Sequence, residues 1–224
     1  MAVFDSIRTA VLRAEGTVIQ ESFSSSDQVA VEMADLSNEV ARDIVEDNNW
    51  RALTRIATIS GGGTSFPLPD DYLRMAGEVD DPATWFWGYE PFSDVNEWMR
   101  YKSGDFLLAA NGGWIMLGGR LEFFPAPTGQ AQFPYISNRF ARSEDGTAKD
   151  KFTSDNDTFV LNERLLTLGL IWRWKAQKGM DYAEDMATYE QALMQDKARD
   201  RGSYVLRQPR PLCGPIAYTG RPIR

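Results

Sequence analysis

Histidine is absent from all 224 residues. Its absence removes the commonest general base near neutral pH, the commonest metal ligand and the usual activator of serine or cysteine nucleophiles. Only carboxylate or lysine chemistry is left open, and without a constellation to carry it no enzyme and no cofactor are expected. Cysteine is almost missing as well. Cys213 stands alone, so no intrachain disulfide can form, which fits a reducing compartment or indifference to redox. Long apolar runs are lacking: "LLTLGLIW" at Leu165–Trp172 falls far short of a membrane span and ends in charges. The opening "MAVFDSIRTAV" has no basic segment followed by an apolar one, so no signal peptide is expected and the chain reads as soluble and intracellular when made. Acid is missing from Ser203–Arg224, which holds four arginines. The whole chain carries −8, from 24 bases against 32 acids, so the first 202 residues carry −12 and the tail +4. A body this acidic argues against wrapping DNA, whose phosphates it repels.

What is present suffices for a core. Hydrophobic residues make up 43% and aromatics 12%, consistent with one domain or one core plus an inserted subdomain. Phe4, Ile7, Val11, Ala14 and Val18 recur at helical spacing and predict a helix over about Phe4–Glu21. After "SFSSSDQ", Ser26 or Asp27 can cap a second helix to about Asp47, with Met33, Leu36, Val40 and Ile44 inward. A short polar loop between the two predicts an antiparallel pair.

The period then changes to two. Leu53, Ile56 and Ile59 alternate with polar residues, Gly61–Gly63 mark a turn, and Pro67 and Pro69 force extended geometry before Asp70 and Asp71. Further strands are predicted at Trp114–Leu117, Leu121–Phe124 and Gln132–Asn138, with a short helix near Asp94–Tyr101 and a polar linker, "ARSEDGTAKDK". Helix resumes after Ser154 or Asp155 as cap, and Leu165–Trp174, apolar on nearly every side, reads as the most buried element. Gly179 suits a left-handed helix end, and Asp181 with Glu184 forms a variant capping box. The last helix has its acids first, its bases last, and Met186, Tyr189 and Leu193 inward. The expected fold is α+β, mainly α: a four-helix bundle with a β-rich insert and an extended tail. Its parts are the N-terminal helices (1–52), the insert (53–150), the closing hairpin (151–202) and the tail (203–224).

Candidate chemistry is thin. "GGG" before Thr64 lacks the Lys-Ser/Thr of a phosphate loop and reads as a hairpin turn. "SDNDTF" lacks the glycine and glutamate of a calcium loop and reads as helix capping. Asp80, Asp81, Glu144 and Asp145 read as loop charges. The aromatics of the insert, among them Trp85, Trp87 and Trp98, could form a platform for sugars or bases, a small core, or a subunit interface. Trp172 and Trp174 read as packing. In the tail, Pro209, Pro211, Pro215 and Pro222 exclude helix, and 22 residues could reach roughly 70 Å at about 3.3 Å each. Disorder is one reading of it. The density of Tyr204, Val205, Leu206, Leu212, Ile216, Tyr218 and Ile223 supports another, a segment that orders on an acidic partner.

These pieces together resemble the head-to-tail adaptor (connector) proteins of tailed bacteriophages, of the podovirus type. The resemblance lies in "DIVEDNNWRALTRIATI" followed by "FPLPDDYLRM", in "LEFFPAPTGQAQFPYISN", and in the closing "FVLNERLLTLGLIWRWKAQKGMDYAEDMATYEQAL" with Lys175, Gly179 and Tyr182 in K-x-x-x-G-x-x-Y spacing. It implies a virion protein of the neck, made in the host cytoplasm and assembled as a ring, usually twelve-fold. DNA passes through its channel, the insert points toward a tail or nozzle protein, and no membrane is involved. It further implies that the tail docks on the portal, for which Tyr204, Leu206, Arg207, Arg210, Tyr218, Arg221 and Arg224 are the candidate contacts. Two other readings stand beside it: a glycan- or surface-binding module using Trp85, Trp87 and Trp98, and a carboxylate-dependent cell-wall hydrolase.

Overall fold

A helix that is apolar all round must be surrounded, and the arrangement of this protein follows from that demand. The computed structural model describes residues 2–60, 62–79, 89–104, 112–127 and 130–201. Helix α4 (Glu163–Gln177) is its centre, with Leu165, Leu166, Leu170, Ile171 and Trp174 buried. Against it pack α1 (Val3–Glu15), α2 (Gln28–Asp47) and α5 (Ala183–Arg201). Between α2 and α4 run a 3₁₀ turn at Arg51–Leu53, strands β1 (Thr54–Ser60), β2 (Ser65–Pro67), β3 (Tyr72–Met75) and β4 (Tyr89–Pro91), and helix α3 (Val95–Ser103). Then come β5 (Gly112–Leu117), β6 (Arg120–Phe124), β7 (Gln130–Ser137), β8 (Ala141–Arg142), β9 (Ala148–Lys149) and β10 (Thr158–Phe159).

The expected four-helix bundle with a β insert is not what forms. Among the described residues there are five α-helices and ten strands in three sheets, ordered β1-β7-β3, β10-β8-β9 and β2-β6-β5-β4. Two physical reasons explain the departure. First, α1 and α2 do not zip together as a hairpin; each lays its apolar line mainly on α4. Second, the helical core is closed by β structure where a bundle would place a fourth well-buried helix. Phe140, Phe152 and Phe159 meet edge to face at 5.4, 6.2 and 5.9 Å between ring centres. Helix α5 contributes little core, with Ala192 its buried residue and Met186, Tyr189 and Leu193 half-buried. The predicted linker "ARSEDGTAKDK" is in fact a hairpin, β8 paired with β9 and turned by Gly146.

Strand β7 is the wall between two cores. Ala131, Phe133 and Tyr135 face a cluster with Ile59, Leu121, Phe123, Trp114 and Tyr89, while Ile136 points the other way into the helical core. Strand β5 divides space in the same manner. Trp114 joins the second core and Ile115 a third, with Trp98 and Tyr101 of α3. Gly113 allows this, because a Cβ there would lie 2.5 Å from the Phe92 ring.

Element ends carry further corrections. Helix α1 stops at Gly16, whose φ of 72° lets its N–H reach the Leu12 carbonyl, and Val18 beyond it is 56% exposed. The glycine stretch after β1 does not close a hairpin: β1 pairs with β7 and β2 with β6, in different sheets. Helix α4 begins at Asn162, which accepts from Arg164 N at 3.0 Å, and neither Ser154 nor Asp155 caps it. Gly179, at φ 69°, ends the helix as expected, with Met180 N bonded to the Lys175 carbonyl at 2.9 Å.

Candidate interaction surfaces

The α4–α5 hairpin is fixed to α2 by charge. Along α2 the acids recur every three to four residues, and bases of α4 and α5 stand opposite them. Arg173 bonds Glu39 at 2.6 Å and also pairs with Asp43; Lys178 meets Glu32 at 2.8 Å; Lys197 pairs with Asp47. Hydrogen bonds from Lys178 and Gln28 hold the Glu32 carboxyl below its usual range. Burial, opposed by Arg173 and helped by Glu39 and Glu46, pushes Asp43 up. Lys175 reaches Asp185 at 2.5 Å across the hairpin turn. Trp174 donates from Nε1 to Glu15 at 2.7 Å, and Lys178 lies 4.4 Å from the centre of its ring. Trp172 is half-buried against Tyr182 and Tyr189. Close packing here depends on Gly169, where a Cβ would stand 2.4 Å from Val40 Cγ1 and 3.3 Å from Tyr189.

Two loop carboxylates that read as capping residues of a helix do something else. Helix α1 has Ala2 at its N-cap, with no side chain to satisfy its first N–H groups. The carbonyls of Asp157 and Asp155 accept from Val3 N and Phe4 N instead, at 2.7 and 3.4 Å. The side chains hold that loop in place. Asp155 accepts from Ser22 N, Ser22 Oγ and Phe23 N; fully buried Asp157 accepts from Thr153 N at 2.7 Å, Ser154 N at 3.1 Å and Lys149 Nζ at 2.8 Å. Burial alone would raise the Asp157 carboxyl, but these donors outweigh it and hold it low. Asp71 plays a matching part in the first sheet, accepting from Tyr135 Oη at 2.8 Å and Ser137 Oγ at 2.7 Å, with Arg55 at 3.3 Å. These donors likewise overcome burial and lower its titration, while burial and Asp71 push the Tyr135 phenol up to about 12. Sequence reading missed these roles. For Asp155 and Asp157 the available signal was the run "FTSDNDTF", which sets both acids between two phenylalanines.

The predicted site residues divide by location. Trp85, Trp87 and the tail residues Tyr204, Leu206, Arg207, Arg210, Tyr218, Arg221 and Arg224 lie outside the described residues. Trp98 is 2% exposed, its ring 5.4 Å from Phe92 and 5.8 Å from Tyr101, so its faces are occupied by the third core. The point from which the tail departs is well defined. Asp200 accepts from Arg51 N at 3.2 Å and the Arg201 carbonyl accepts from Arg51 Nη2 at 2.6 Å, tying the end of α5 to the residues just before β1. A groove of about 760 Å³ runs between α1, α4 and α5, where Asp5 and Glu163 offset Arg13 and Arg164. Among the described residues no cluster of three or more His, Cys, Asp or Glu could hold a metal, and no helix is long and apolar enough to cross a membrane.

Charge and buried polarity are used to hold elements to one another. The family model described as SU10 adaptor protein matches residues 4–212, and the chain belongs to that family of phage head-to-tail adaptors. No curated protein matches it. As a structural phage adaptor the protein is a virion component that interacts with other head and tail proteins.

Proposed function

We propose that this adaptor assembles as a twelve-fold ring in the neck, beneath the portal, and joins it to the tail. Genomic DNA passes through the channel without sequence-specific contact, and the protein works without a bond made or broken. A body carrying −12 favours sliding of DNA over sticking, because it attracts no phosphates. Helix faces meet neighbouring copies, while the segment from 53 to 150 faces the tail or nozzle protein with Trp85 and Trp87 at the contact. The four-part division into 1–52, 53–150, 151–202 and 203–224 is then one of labour, although Leu53, Ile136, Phe140 and Ala141 belong to the helical core: helices for the ring, the 53–150 segment for the distal partner, strap for the portal.

The observation that carries this reading is the fixed exit of the tail. The end of α5 is anchored by Arg51, so the arginines at 207, 210, 221 and 224 and the apolar Tyr204, Leu206 and Tyr218 leave the body from one defined place. Tethered docking of this kind adds affinity through effective concentration. Deleting Ser203–Arg224 should leave a folded protein that no longer attaches to portal-bearing heads. Normal attachment of the truncated protein refutes the strap.

A further inference from the structure

Strand β1 is an open edge. It pairs with β7 in unbroken register from Thr54↔Ile136 to Ser60↔Gln130, and no strand among the described residues lies on its other side. In an antiparallel ladder alternate residues bond the partner, so half of the backbone donors and acceptors of β1 point outward. Native edges of this length are usually blunted by proline, lysine, a bulge or a covering loop. Here the register has no bulge, and the strand contains no proline and no lysine. Arg55, its one charge, is drawn to Asp71 at 3.3 Å, and Ile56 is 70% exposed.

The chain itself supplies a fitting occupant for this edge. Between α5 and Pro209 lie Ser203-Tyr-Val-Leu-Arg-Gln208, six residues free of proline with aromatic and β-branched side chains. At about 3.3 Å per residue they span roughly 20 Å, close to the roughly 23 Å of the seven residues of β1. The Arg51 contacts bring the end of α5 to the start of β1, the starting point that a strand parallel to β1 requires. Pro209 and Pro211 would end the pairing, since neither can donate to a ladder.

We propose that Ser203–Gln208 adds to β1 of its own chain as a fourth, parallel strand, covering Ile56 and leaving Pro209–Arg224 to reach the partner. The inference moves Tyr204, Leu206 and Arg207 from the portal contact to β1 and leaves that contact to Arg210, Tyr218, Arg221 and Arg224. The test is hydrogen exchange on three forms: the full chain, a chain ending at Gln208 and a chain ending at Gly202. Amides of α4 serve as the control for folding. The outward amides of β1 should be protected in the first two forms and exchange at least about tenfold faster in the third. Val205→Pro in the full chain should reproduce the loss. Equal exchange in all forms overturns the proposal. So does protection that fades on dilution, because the strand would then come from a neighbouring copy. The form ending at Gln208 separates the two claims: it should keep β1 protected while failing to bind heads.

Discussion

Replacing Asp157 by alanine removes one carboxylate and leaves four donors without it, the weakest being the Thr153 hydroxyl at 3.4 Å. Thr153 N and Ser154 N are backbone groups at 2.7 and 3.1 Å, and Lys149 Nζ sits at 2.8 Å with its side chain 27% exposed. A stranded buried N–H costs about 1–2 kcal/mol. The ammonium, partly wet and also bonded to Thr153 Oγ1 at 2.8 Å, recovers part of its loss from water. The expected destabilisation is about 3 kcal/mol, at the lower end for breaking a buried pair. Asp157→Asn keeps an acceptor but not the charge and should cost about 2 kcal/mol. Urea unfolding reads both, as a lower midpoint with an unchanged slope. The pH dependence gives a second check. Because the folded carboxyl titrates below its ordinary 3.8, its stabilisation is complete above that value and fades as pH falls through and below it. The gap between the native protein and Asp157→Ala should therefore close in acid. A loss below about 1 kcal/mol at neutral pH, or a gap that does not depend on acid, refutes the claim that this loop clamps α1.

Other outcomes follow from neighbouring contacts. Gly169→Ala gains helix propensity yet forces a Cβ against Val40, so a net loss of about 1–3 kcal/mol is expected, partly rescued by Val40→Ala in the same unfolding assay. Ultraviolet titration should find the Tyr135 phenol unionised until about pH 12, and Asp71→Asn should bring it down. A phenol held up in this way stabilises the fold below pH 10 and loses that contribution as pH rises toward 12. Trp174→Ala should cost about 3–5 kcal/mol because the ring is fully buried and bonded to Glu15, and denaturant melts measure it.

Periodicity read the helices and the long strands well because each is decided by its own residues. The lines of Met33, Leu36, Val40 and Ile44 in α2, the apolar run of α4, Gly179 and the strands β5 to β7 all announce themselves locally. The fold class was misread because its deciding contacts are distant. The partner of β1 is β7, more than seventy residues on, and the acids at 155 and 157 serve a helix at the other end of the chain. The apolar spacing runs on to Val18 past Gly16, whose left-handed backbone is the local stop of α1. Similarly, Trp98 on an aromatic-rich helix carries no mark that tells an exposed platform from a core. Its partner Ile115 on β5 decides that. The family was legible because its packing segments are contiguous, whereas residues that dock on a partner leave no trace in the fold of one chain.

The most direct measurement is a reconstruction of the virion neck at a resolution that traces this chain. The protein should lie between portal and tail, with the Arg51–Asp200 end of α5 turned toward the portal and the segment after Pro209 in contact with it. Finding the chain elsewhere, or with that end turned toward the tail, would contradict this placement.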